Sequence, residues 1–120
     1  IRLITLQTDP SRYYEEADLF VLPSMTEGFP NVLLEAANFY VPIISFDVGG
    51  ISGIFRNGWE ALILKEQTSE ALANGIRSFL AHPQAFTEYA LRARERIEKD
   101  YSIDVKARKL LDYYRSIAPQ

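Results

Sequence analysis

The stretch Ala17-Asp18-Leu19-Phe20-Val21-Leu22-Pro23-Ser24-Met25-Thr26-Glu27-Gly28-Phe29-Pro30-Asn31-Val32-Leu33-Leu34-Glu35-Ala36 decides how this chain is read. Leu19 to Leu22 is an unbroken apolar run stopped by Pro23. Runs without polar alternation suit strands of a parallel sheet covered on both faces. The polar loop that follows ends at Pro30, which predicts a helix running to about Tyr40, because proline fits a first helical position where its missing N–H would be unpaired anyway. On that helix Asn31, Glu35 and Asn38 fall on one face at i−4 and i+3 spacing. Val32, Leu33, Ala36, Ala37 and Tyr40 fall on the other, which is expected to pack on the sheet.

On both sides of this stretch the same alternation repeats. Ile43-Ile44-Ser45-Phe46 is a second apolar run, followed by the loop Asp47-Val48-Gly49-Gly50 and a brief helical turn. Asn57-Gly58 is a strong turn signal, and Ala61 to Leu64 reads as another strand. Upstream, the β-branched Ile1 to Leu6 reads as a strand and residues 11–17 as a short helix. Downstream, Thr68 or Ser69 caps a helix with the stripe Leu72, Ile76, Phe79 and Leu80. Pro83 opens a second helix, and Ser102 caps a third with Leu110, Tyr114 and Ile117 on one stripe. Strand–helix alternation with apolar strands predicts a doubly wound, Rossmann-like α/β parallel sheet followed by C-terminal helices. Such folds bind ligands beyond the carboxyl ends of their strands, which selects the loops after Leu22 and Phe46.

The bulk chemistry narrows the function. A formal net charge of −3 gives no reason to expect a binder of a nucleic-acid backbone, which normally carries a basic excess on one face. With no cysteine there is neither disulfide nor thiolate site, and one histidine leaves a transition metal only carboxylates to bind. No apolar stretch approaches the ~20 residues of a bilayer span. The reading is therefore a protein of a reducing, cytoplasmic compartment. Peripheral placement at the inner face of a membrane is an alternative, since the mixed-sign run from Arg92 to Lys99 otherwise reads as a solvated helix face. The start, Ile1-Arg2-Leu3-Ile4, reads as a strand entered in mid-protein.

The loop after Leu22 carries the chemistry. Glu27 and Glu35 bracket seven residues, one carboxylate on the loop and one in the second helical turn. A helix N-terminus favours a phosphate by ~0.3–2 kcal/mol. Gly28 allows close backbone approach, and a carboxylate accepts charge-assisted bonds from paired hydroxyls of a ribose or hexose. By spacing alone, two glutamates eight positions apart are more often solvated than functional.

The whole string resembles the signature of the family-four retaining glycosyltransferases of the GT-B fold: a strand ending in Pro-Ser, then Glu-x7-Glu. The resemblance continues through Pro42-Ile43-Ile44-Ser45, Val48-Gly49-Gly50, Asn57-Gly58 and Leu62-Ile63-Leu64 to Ser102 and the last helix. It implies that residues 1–120 are a partial nucleotide-sugar-binding domain, the C-terminal half of a two-domain enzyme. Glu27 would stand near the reacting sugar carbon as the catalytic group, without being a nucleophile. Glu35 would take the ribose hydroxyls, and Gly28, Phe29, Pro30, Asn31 and Val32 would line the sugar and diphosphate. The partners implied are a nucleoside-diphosphate sugar and a carbohydrate or lipid-linked acceptor, with no metal and no other cofactor.

The resemblance also sets limits. The Arg and Lys that neutralise the diphosphate, the first two strands of a 3-2-1-4-5-6 sheet and the acceptor-binding domain would all lie upstream of Ile1. The chain alone is then expected to be inert. Residues 1–6 would lose their neighbour and either pair beside residues 19–22 or bind another chain, so self-association through exposed sheet edges is expected. Gly49-Gly50-Ile51-Ser52-Gly53 departs from the family's frequent Gly-Gly-x-Pro-Glu. Two alternatives remain open: a non-catalytic nucleotide-binding module of the same fold, and a nucleotide-sugar epimerase or isomerase. A phosphoacceptor signalling domain fits poorly, since only Asp47 sits at a strand end. His82 reads as structural or solvent-facing, Tyr13 and Tyr14 as core and rim rather than ligand stackers, and Trp59 as a cover for the edge of the fourth strand.

Overall fold

A computed structural model describes residues 1, 3–5 and 8–117. Helix α1 (Ser11–Glu15) leads into strand β1 (Phe20–Leu22), helix α2 (Asn31–Asn38) and strand β2 (Ile43–Phe46). Short helix α3 (Ile51–Ile54), strand β3 (Leu62–Leu64) and helices α4 (Ser69–Ala81), α5 (Pro83–Tyr101) and α6 (Ile103–Ile117) follow. The three strands form one parallel sheet in the order β1-β2-β3, with Phe20 opposite Ile43 and Ile44 opposite Leu62. This is the α/β architecture the apolar runs predict, and the three strands follow one another in space as in sequence.

All four residues of β2 are buried, as expected for a central parallel strand covered on both faces. Alternation along the strand sends Ile43 and Ser45 to one face and Ile44 and Phe46 to the other. Leu33, Ala36 and Ala37 of α2 are fully buried and share a core with Ile43, Phe46, Ile63, Ala93 and Ile97. The Ser45 hydroxyl satisfies itself against the Phe46 carbonyl at 3.0 Å. Helix α4 approaches the sheet through Gly75: a Cβ there would lie 3.3 Å from Leu62 Cδ2 and 3.4 Å from Ile44 Cγ2.

Both predicted caps form. Thr68 Oγ1 accepts from the Ala71 N–H at 3.1 Å, and Ser102 Oγ from the Val105 N–H at 3.4 Å. Helix α2 begins one residue later than expected, because Pro30 takes ψ 82° and stands outside the helix.

Four expectations are corrected. Residues 1 and 3–5 form no strand, β1 pairs with β2 alone among the described residues, and Ile1, Leu3 and Ile4 are exposed. Residues 2 and 6, also expected in that strand, lie outside the described residues. A three-residue β1 offers few ladder bonds to offset the entropy of ordering a further segment beside it. Tyr40 is half-exposed beyond the end of α2 at φ 58°, so it does not pack on the sheet. Leu80 is 70% exposed, because the contact face of α4 is centred on Gly75. The stripe of Leu110, Tyr114 and Ile117 exists on α6 but is exposed, and no residue of that helix is buried.

Helix α5 carries the mixed-sign run as i,i+4 pairs: Arg92 with Glu88 and Arg94 with Glu98, both at 2.7 Å, and Arg96 with Asp100 at 3.1 Å. Arg92 also lies over the Trp59 ring, 3.9 Å from its centroid, and ties the turn before β3 to α5. Beneath that turn Glu60 is 2% exposed and accepts from the Arg56 backbone N–H at 2.7 Å and from Arg56 Nη2 at 2.7 Å. Burial pushes the Glu60 carboxyl up, but the Arg56 hydrogen bonds and charge, with help from Arg96, hold it below its ordinary 4.5. A depressed folded-state value contributes stability above the unfolded value and loses it as pH falls through the folded one. Glu60→Gln is therefore expected to lower Tm at pH 7 by about 5 °C. The deficit should shrink as pH falls below 4.5, where thermal melts from pH 7 to 3 would show it. A deficit independent of pH would mean that the carboxylate's charge is not what stabilises this turn.

Candidate functional site

The two loops selected by the strand ends meet. Gly49, in the loop after β2, has φ +58°, and a Cβ built on it would lie 2.3 Å from the Glu27 carbonyl oxygen and 2.9 Å from Glu27 Cβ. The loop after β2 thus supports the loop after β1 directly beneath Glu27. Only glycine satisfies both demands, left-handed backbone and absent side chain. The Ser52 N–H donates to Asp47 Oδ1 at 3.3 Å and closes the supporting loop on itself. Glu27 is half-buried on this platform, while Gly28, with no atom within 4 Å of a Cβ position, faces open space.

The Phe29 ring packs toward the junction of α5 and α6. It lies 6.3 Å from the Tyr101 ring, and Lys106 Nζ sits 5.5 Å from its centroid and 4.7 Å from that of Tyr101. The Phe29 backbone stays in the loop, where its carbonyl accepts from the Asn31 N–H at 3.0 Å. Pro30 is buried and supplies no side-chain cap, and the Val32 N–H at the mouth of α2 has no acceptor among the described residues. Such a free N–H at a helix start is what an anionic oxygen takes.

Asn31, Glu35 and Asn38 share one face, as their spacing requires. They line a groove of about 720 Å³ between α2 and α5, opposite Arg94 and Glu98. Glu35 is solvent-exposed, yet one of its oxygens is engaged: the Tyr14 hydroxyl donates to Oε2 at 2.9 Å. Tyr14 itself is buried. Desolvation first, then the Glu35 hydrogen bond and charge, push its phenol well above the ordinary value, so it stays a protonated donor. Glu27 and Glu35 thus rest on different supports, one on the Gly49 backbone and one on α1.

Sequence reasoning missed Tyr14 as a partner of Glu35 and Gly49 as the support of Glu27. A pair of adjacent glycines at a strand end is itself a signal of close backbone approach, but nothing in the sequence names what approaches. The Tyr14–Glu35 pair, 21 residues apart, has no local signature.

A family profile described as "Glycosyl transferases group 1" matches residues 3–100. The chain belongs to this family. This group 1 glycosyltransferase chain is 36% identical over 106 residues to TuaC of Bacillus subtilis (strain 168), a glycosyltransferase named for teichuronic acid biosynthesis. That alignment covers 88% of this chain and 27% of the relative. It is 33% identical over 105 residues to the D-inositol 3-phosphate glycosyltransferase of Rhodococcus erythropolis, covering 88% of this chain and 24% of that one. The chain thus spans about a quarter of the length of these curated relatives.

Among solved structures, sucrose-phosphate synthase from Thermosynechococcus elongatus superposes with a TM-score of 0.80 at 30% identity, over 88% of this chain and 26% of that one. Anabaena HepE, solved in complex with UDP, superposes with a TM-score of 0.82 at 20% identity, over 88% of this chain and 29% of that one, and shares the fold. The glycosyltransferase resemblance and the α/β fold with C-terminal helices both stand. Among the described residues no helix is long and apolar enough to cross a membrane, and no three His, Cys, Asp or Glu gather where they would hold a metal ion.

Proposed function

We propose that this chain is the donor-nucleotide half of a retaining glycosyltransferase, which moves a sugar from a nucleoside-diphosphate sugar to an acceptor hydroxyl without a metal. The observation that carries the reading is the Gly49–Glu27 contact, which joins the loops at two adjacent strand ends, where open α/β sheets bind their ligands. Glu27 stands at that junction as the carboxylate that supports positive charge on the reacting sugar carbon. The open space over Gly28 accommodates the sugar ring, and the free Val32 N–H meets a phosphate oxygen. Glu35, with Asn31 beside it, takes the ribose hydroxyls. The sugar–phosphate bond breaks with its electrons on the leaving phosphate oxygen, which is basic enough to accept the acceptor's proton. The acceptor, a carbohydrate or a lipid-linked one, is held by residues outside these 120, as is the cationic clamp on the diphosphate. The protein works at the cytoplasmic side of the membrane or in the cytoplasm itself.

Binding is the direct test. Because the HepE neighbour holds UDP, UDP is the first nucleotide to titrate calorimetrically, with GDP, ADP and their sugar conjugates beside it. Glu35→Ala removes a charged hydrogen-bond acceptor and is expected to weaken the preferred nucleotide by roughly 10- to 100-fold. Equal affinities for the two proteins would overturn the role given to Glu35. The chain by itself is expected to bind donor without transferring sugar, and measurable transfer by it alone would refute that part.

A second reading, a nucleotide-binding module without catalysis, draws on one observation. Ser52 and Gly53 are exposed where the family often has Pro and Glu, and a Cβ on Gly53 meets nothing within 4 Å. If donor binds but a longer protein containing this chain transfers no sugar, that reading replaces the first.

A further inference from the structure

We propose that Tyr14 is a positioning residue for the donor: its hydroxyl fixes the Glu35 carboxylate in advance, so that the remaining oxygen lone pairs meet the ribose hydroxyls. The proposal rests on the donor-site reading of Glu35 given above.

The geometry is specific. Tyr14 lies on α1 and Glu35 on α2, and the phenol hydroxyl donates to Oε2 at 2.9 Å across 21 residues of sequence. The ring is held rigidly. It is 8% exposed, stacked on Phe39 at 5.6 Å with an interplanar angle of 13°, and tilted against Phe20 at 5.7 Å. A phenol has one hydrogen to donate, and here it is spent on the carboxylate. An ionised carboxylate has about four acceptor sites, so the bond to Tyr14 leaves Oε1 and one lone pair of Oε2 for a ligand. That remainder matches a cis diol, which brings two neighbouring hydroxyl donors.

Without the bond, an exposed glutamate on a helix samples several rotamers and must lose them on binding, which is the cost that preorganisation removes. Burial also keeps the phenol protonated, so the donor is present throughout the neutral range. A structural explanation alone accounts for the buried ring, but not for a hydroxyl directed at an exposed carboxylate in the groove.

Tyr14→Phe keeps the ring and its stacking and deletes only the hydroxyl. Calorimetry is run with UDP, GDP and ADP and with the 2′,3′-dideoxy form of whichever binds best. Affinity for the ribonucleotide is expected to fall about five- to tenfold in Tyr14→Phe, with Tm within a few degrees of the unaltered chain. The dideoxy analogue should bind the two proteins alike, and Tyr14→Phe placed on Glu35→Ala should add no further loss. A role in packing alone would not make the defect depend on the ribose hydroxyls. If Tyr14→Phe binds the ribonucleotide normally while Glu35→Ala does not, the positioning role is wrong and the donor site stands. If Glu35→Ala also binds normally, or neither this chain nor a longer protein containing it binds a nucleotide, the donor-site reading fails and takes this proposal with it.

Discussion

Alanine at Gly49 is expected to destabilise the chain by about 2–5 kcal/mol and to abolish nucleotide binding, whereas alanine at the adjacent Gly50 costs about 1 kcal/mol. Both glycines sit at positive φ, +58° and +80°, so both substitutions pay the left-handed penalty of an L side chain. Only Gly49 has an obstacle. Its new methyl would fall 2.3 Å from the Glu27 carbonyl oxygen and 2.8 Å from the carbonyl carbon, well inside van der Waals contact, while Gly50 has nothing within 4 Å. The obstacle is backbone, which cannot rotate aside, so the two loops must separate. Separation moves Glu27 off its platform. Urea midpoints of the two variants isolate the steric part, since the backbone strain is common to both. Equal midpoints would show that the loops do not touch, and the argument for a joint site at the strand ends would go with them.

Much of this fold was legible because its signals are local. The apolar runs at Phe20–Leu22 and Ile43–Phe46 have no polar alternation, and both became parallel strands. Thr68 and Ser102 precede amphipathic stretches and cap them, as the chemistry of a hydroxyl before a helix requires. The errors arose where a contact depends on something periodicity cannot register. Helix α4 meets the sheet through Gly75, a residue with no side chain, so the apolar stripe pointed a little to one side and Leu80 was left in solvent. The stripe on α6 is real, but periodicity names a face and not what covers it.

The site divides in the same way. Glu27 and Glu35 were marked by their spacing within a recognisable string, and the shared face of Asn31, Glu35 and Asn38 followed from helical geometry. What holds each carboxylate was not legible. Gly49 reaches Glu27 from the next strand's loop, and Tyr14 reaches Glu35 from the preceding helix. Both are tertiary contacts whose sequence separation is set by the topology. Phe29 shows the same limit: its place in the loop follows from the string, but its ring packs toward Tyr101 and Lys106, a direction that only the placement of α5 and α6 determines.

Truncating Phe55 to alanine is expected to cost about 3–5 kcal/mol, a large share of the ~5–15 kcal/mol that holds an ordinary domain folded. Phe55 heads the fully buried side chains by size and has no exposed surface. It leaves α3 in extended conformation, φ −121°, with its N–H bonded to the Ile51 carbonyl at 3.0 Å. Ile51 and Ile54 are buried beside it in the same core. These three side chains anchor α3, which begins immediately after Gly49 and Gly50, so the loop under Glu27 is tied to the core through them. The thermal midpoint should fall by roughly 10–25 °C in Phe55→Ala, and by a third of that or less in Phe55→Leu, which keeps most of the volume. At a temperature where Phe55→Ala is still folded, nucleotide affinity should also drop, because a cavity beneath α3 lets the Gly49 loop shift. Normal affinity in a folded, destabilised variant would mean that Asp47 and the strand end hold that loop without help from α3. A midpoint within a few degrees of the unaltered chain would instead contradict the buried position of Phe55, and with it the anchoring of the loop.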